Sequence, residues 1–300
     1  MAKRRQLSDF SEIKYRIDGK IARVSLARPQ KRNALSLRMR SELVSALHTA
    51  ENDEQVSVVL IDGEGPSFCA GYDLAEGLDA HRPRKPGETP HESPDADDWI
   101  KDPDLASWTD PFARSCLEDW LTLWDLLKPV VVMVHRDCLA GGLELISMAD
   151  IAFATHDARL GYPPMRGIAT PDVPFFPWKM TMARAKYLQL TGNSLTGNEA
   201  AAWGWIAKSF SAEGFEDSVM NEVRAMSEIA VDLLAANKHQ LNQAYELMGM
   251  KTHFSQAWTW HFLSSAVRPN YKGFFRVARD KGLKGAFEWM NKPFKDRGIK

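Results

Sequence analysis

The chain is poor in cysteine, has no long apolar run and carries no surplus of either charge; each shortage narrows what it can be. Its three cysteines, Cys69, Cys116 and Cys138, lack metal-ligand spacing and leave one thiol over in any disulfide scheme, so no metal site is expected. No apolar segment approaches the roughly 20 residues of a membrane-spanning helix. The formal net charge is −1, so bulk charge favours neither nucleic acid nor an anionic membrane as a partner. The opening MAKRRQLSDF is basic, yet no apolar stretch follows it as a secretory signal requires. These shortages together predict a cytoplasmic location. What is present is ordinary globular composition, 300 residues with 44% hydrophobic and 26% charged, ample for a sizeable core.

The organising stretch runs from Pro129 to Pro164. Val130 to Val134 is a β-branched apolar run, the pattern of a strand buried on both faces. Ala140, Gly141 and Gly142 follow, and Leu143 to Met148 opens a helix, with Ile151 to Ala154 and Leu160 as further short buried segments. A strand, a glycine turn and a helix N-terminus aim free backbone N–H groups into one small volume, which is how proteins hold developing negative charge. Glu144 lies one turn into that helix. A Gly-Gly pair serves close helix packing equally well, and a glutamate there can also be a capping or surface group. Upstream, Val56 to Ile61 reads as a second buried strand that runs into SFCAGYDL, Ser67 to Leu74. Two strand ends, each with a backbone donor, plus one carboxylate make an oxyanion site with a general base.

The motifs SFCAGYDL, AGGLELISMADIAFA and RPQKRNALS resemble those of the enoyl-CoA hydratase/isomerase (crotonase) superfamily, in the same order, over roughly residues 13–212. The resemblance implies an α/β fold, a crotonase-like spiral of ββα units with a helical C-terminal module. It divides the chain into an acyl-CoA-binding core over 1–212, with an insertion at about 79–111, and a helical oligomerisation module over 213–300. It also implies an acyl-CoA substrate, no cofactor beyond the coenzyme A that the substrate carries, and a homotrimer or a dimer of trimers. By the same resemblance the oxyanion donors are the N–H groups of Tyr72 and Gly141, and Glu144 is the acid or base. Lys31 and Arg32, with Ala34, Ala70, Tyr72, Asp73 and Leu74, would line the coenzyme A. Lys31 and Arg32 read equally well as solvated loop charges.

Departures from the family pattern matter as much. Hydratases carry a second glutamate in an FGxPE segment, whereas this chain reads LGYPP, with Pro164 at that position. Proline exchanges no proton. Asp172, eight residues on, stands at the offset where dienoyl-CoA isomerases place another acid, and is either the partner of Glu144 or a turn residue. His135 replaces a common asparagine, as a titrating group or a hydrogen-bonded structural one. Phe175, Phe176 and Trp178 either line a pocket for a bulky acyl group or belong to the core. The insertion holds six prolines with Trp99 and Trp108 among many charges, the composition of an exposed loop partly pinned by aromatics. Further on, periodicity predicts helices over 112–127, 179–190, 218–236, 239–248, 254–267 and 271–289. The expected activity is enolate chemistry on an enoyl-CoA, of hydratase or isomerase type. Dienoyl-CoA isomerisation, C–C or thioester hydrolysis, and non-catalytic acyl-CoA binding are the alternatives.

Overall fold

The computed structural model describes residues 10–76, 111–264 and 269–297. The proline-rich insertion, with Trp99 and Trp108, lies outside the described residues up to Pro111.

Strands β1 (Ile13–Asp18), β2 (Ile21–Leu26), β3 (Val58–Gly63), β4 (Val130–Val134), β6 (Ile151–Thr155) and β9 (Lys208–Phe210) form a six-stranded sheet in the order β1-β2-β3-β4-β6-β9. Among the described residues of this sheet, only the β1–β2 hairpin is antiparallel. A smaller sheet joins β5 (Asp137–Leu139), β7 (Arg159–Gly161) and β8 (Ser194–Thr196). Single bridges, Leu35 to Tyr72 and Cys69 to Cys138, extend it toward earlier turns of the chain. Each turn thus places one strand in the large sheet, a strand or bridge in the small one, and a helix outside. This is the spiral of ββα units that the motifs imply.

Local chemistry starts these elements where the sequence says it should. Ser36 caps helix α1 (Leu37–Glu51), its Oγ accepting from the Met39 N–H at 2.9 Å. Met39, Leu43, Ala46 and Leu47 then point into the core. Strand β2 reads IARVSL, which alternates like a half-exposed strand, yet all six residues are buried. Arg23 is tolerated inside because Asp62 and Glu216 both pair with it. Glu216 belongs to a helix that covers this face.

That helix corrects the tail. Predicted as 218–236, it runs instead over Phe215–Ser227 and breaks before Val231–Leu247. Phe215, Val219, Met220 and Val223 pack on Ile21, Val58, Leu60 and Val131, so the chain after residue 213 supplies part of the sheet's own core. Shorter helices follow at Met250–Phe254 and Ala257–Ser264, and a last one, Pro269–Lys295, kinks at Gly282. Lys238 fixes Val231–Leu247 to the core, binding the Leu123 and Lys128 carbonyls and the Asp150 carboxylate. Helical periodicity ran through these breaks because a short turn between two amphipathic segments leaves the apolar spacing almost intact.

Candidate active site

Three loops meet at the ends of the strands. In RPQKRNALS, Arg32 and Asn33 take φ values of 50° and 52°, and Asn33 is fully buried. Its side-chain amide donates to the carbonyls of Glu64, Ser67 and Phe68, and its Oδ1 accepts from the Arg28 N–H. One asparagine therefore holds the first loop against the second. Backbone bonds complete the seam, Ala70 N–H to Arg32 O at 3.0 Å and Leu35 N–H to Gly71 O at 2.8 Å. Lys31 and Arg32 are left exposed at its rim beside half-buried Ala34 and Ala70. The Asp73 carboxylate pairs with Arg28 at 2.9 Å. Leu74 packs toward Ile168, Phe274 and Met290, against the last helix.

The second and third loops touch where glycine permits it. A Cβ on Gly71, which has φ 100°, would lie 2.7 Å from the Ala140 Cβ and 3.5 Å from the Gly141 nitrogen. Ala140 holds φ 50° and ψ −119°, a costly conformation for a residue with a side chain, and from it helix α3 (Gly141–Met148) begins. The Tyr72 ring lies over Gly141 so closely that a Cβ there would be 2.6 Å from its Cζ. Among the described residues, no backbone acceptor takes the N–H of Tyr72 or of Gly141. Two neighbouring donors left in this way are suited to an oxyanion.

Glu144 is completely buried on α3. Its Oε2 accepts from the Tyr72 hydroxyl at 2.6 Å and its Oε1 from the Asp172 N–H at 2.9 Å, and the Tyr162 phenol lies close enough to favour its charge as well. Trp120 Nε1 donates to the Tyr72 oxygen at 2.9 Å, which leaves that phenol's proton directed at Glu144. Burial first, and the charge of Asp172 second, push the Glu144 carboxyl up to about 8, against the lowering effect of its three donors. Burial likewise raises the Tyr72 and Tyr162 phenols and the Cys116 thiol. Arg40, also buried, lies behind Tyr72 with its guanidinium 5.7 Å from the ring centre and is held by Asp119 at 2.7 Å.

The structure thus brings Glu144, Asp172, Tyr72 and Gly141 together. Pro164 sits in a single 3-10 turn over Pro163–Arg166, its carbonyl accepting from Gly167, Ile168 and Ala169. That loop reaches Glu144 through Tyr162, two residues earlier. The LGYPP segment contained this tyrosine in plain view, but only its departure at Pro164 stood out. Tyr72 was expected for its N–H and as part of the coenzyme A lining, not for its hydroxyl, and Trp120 was not expected at the site. The aromatic segment goes to the core. Phe175 and Phe176 are buried, stack 4.4 Å apart and pack on Trp205, while Trp178 bonds to His253. His135 hydrogen-bonds the Gly65 carbonyl at 2.9 Å, a structural role.

A two-sheet ββα spiral that gathers strand-end N–H groups around a buried carboxylate is the crotonase fold, and known structures agree. An enoyl-CoA hydratase from Mycobacterium smegmatis superposes with a TM-score of 0.84 at 26% identity, covering 97% of this chain and 96% of its own. An enoyl-CoA hydratase/isomerase from Xanthobacter autotrophicus gives 0.83 at 29% identity, covering 95% and 99%. In sequence, a Mycobacterium tuberculosis protein named as an enoyl-CoA hydratase, EchA13, is 29% identical over 270 residues, 87% of this chain and 83% of its own length. The chain belongs to the enoyl-CoA hydratase/isomerase family, whose model matches residues 21–259. It is an acyl-CoA thioester-processing enzyme of that type.

Proposed function

We propose that the enzyme moves protons on an enoyl-CoA through a stabilised enolate, with Glu144 as the shuttling group and Asp172 as its partner. The observation that carries this is the buried Glu144 carboxyl, held at 2.9 Å by the Asp172 N–H and pushed up to about 8, beside the two unclaimed N–H groups of Tyr72 and Gly141. Those donors polarise the thioester carbonyl, each contributing about 3–4 kcal/mol of barrier lowering by analogy with single oxyanion donors. A group ionising close to working pH can give and regain a proton in one cycle. With Pro164 engaged as a turn cap, water addition and double-bond migration both fall to the Glu144–Asp172 pair. That pairing favours migration, which requires proton traffic between two carbons and no activated water. The proposal takes coenzyme A only as part of the substrate, contacted through Lys31 and Arg32.

We further propose a closed trimer or dimer of trimers, supported by exposed Leu241 and Leu247 on Val231–Leu247 and Met248 at its end, and a cytoplasmic location, supported by three buried free thiols. The reaction is tested by incubating crotonyl-, butyryl- and decanoyl-CoA with the enzyme in deuterated buffer. Exchange at the α-carbon, or at the γ-carbon of crotonyl-CoA, is expected and should vanish in Glu144→Gln. Tight acyl-CoA binding with no exchange on any of the three would leave a binding protein instead.

A further inference from the structure

Asp172 has a second neighbour that no sequence motif announces. His261, on the helix Ala257–Ser264, places its Nε2 3.3 Å from the Asp172 Oδ1, with the two side chains 11% and 3% exposed. The same helix grips the loop that carries Asp172 a second time: the Ser264 Oγ meets both the N–H and the Oγ1 of Thr170 at 3.2 Å, and donates back to the His261 carbonyl at 3.1 Å. Asp172 in turn donates its N–H to Glu144. A continuous line of contacts therefore joins a C-terminal helix to the carboxyl assigned the chemistry.

We propose that His261 is a positioning residue that fixes the orientation and charge of Asp172 against Glu144, so that docking of the Ala257–Ser264 helix completes the site. The inference rests on the reading of Glu144 as the shuttling group. Two buried carboxyls close to one another cannot both ionise cheaply; a protonated imidazole beside one of them cancels a charge and lets the pair release its second proton at a lower pH. Among the described residues, the other groups that face the pair are neutral or held elsewhere. Tyr72 and Tyr162 present neutral phenols, and Cys116, on the helix Pro111–Asp125 against which Ala257–Ser264 packs, is a thiol held protonated by burial. Arg40, behind Tyr72, is held by Asp119.

The test follows the pH dependence of butyryl-CoA α-proton exchange. His261→Gln keeps a polar side chain beside Asp172 and removes the charge. Its inflection should move up by about one unit, with kcat down about tenfold and KM within about twofold. In an Asp172→Asn background the same change should shift the inflection no further, since the effect runs through Asp172. A His261→Gln profile superimposable on wild type, or a shift that persists undiminished beside Asp172→Asn, overturns the proposal. Should His261→Gln fail to fold, the wild-type His261 ring is titrated by NMR with and without Asp172→Asn. Its pKa is expected to fall when the carboxylate is lost, and an unchanged value likewise overturns the proposal. A fully active Glu144→Gln would instead sink the underlying reading of the site, so the two failures are distinguishable.

Discussion

Glu144→Gln separates the cost of the site from its use. The wild-type carboxyl moves from 4.5 in the unfolded chain to about 8 when buried. Below pH 4.5 both states hold the proton and the shift costs nothing. As pH rises from there, the unfolded chain ionises while the folded one resists, so stability is lost progressively up to about 8 and no further. Three to four units at 1.36 kcal/mol each set a ceiling of about 5 kcal/mol. Glutamine cannot ionise. Its carbonyl can still accept from the Asp172 N–H, while its amide meets the Tyr72 and Tyr162 hydroxyls. Urea denaturation across pH 5 to 9 should show the variant gaining stability relative to wild type as pH rises, with little difference at pH 5. Turnover in the same preparation should fall by roughly 10²–10⁴. A stability difference that is flat with pH would refute the electrostatic account. Unchanged turnover would remove Glu144 from the mechanism.

Gly141→Ala sets a methyl 2.6 Å from the Tyr72 ring; the ring must leave Glu144, and exchange should drop at least tenfold while circular dichroism stays native. Asp172→Asn should lower turnover about tenfold or more without loosening binding, because the amide keeps the shape and loses the proton. Lys31→Ala with Arg32→Ala should raise KM for acyl-CoA severalfold at low salt and less at high salt, as exposed phosphate contacts do; calorimetry at two ionic strengths reads this. Light scattering should give the mass of a trimer or its double, and a fully active monomer at all concentrations would defeat the oligomer proposal.

The sequence by itself determined the buried strands at Val56 to Ile61, Val130 to Val134 and Ile151 to Ala154, the three motif loops and the placing of Glu144 after Ala140-Gly141-Gly142, because these rest on local periodicity and turn chemistry. It also pointed to Tyr72, Gly141 and Asp172 as members of one site. Only the tertiary structure decided what each side chain touches. A core phenylalanine and a pocket phenylalanine look alike along the chain, so Phe175 and Phe176 went to Trp205 and not to substrate. Asp73 was spoken for by Arg28, which lies far from it in sequence. Tyr162, Trp120 and His261 came to the carboxylate pair from three separate elements, and no spacing rule relates residues that meet only when the spiral closes. Ionisation is set the same way: the pull on Glu144 comes from burial and a neighbouring charge, and both exist only once the chain has folded around it.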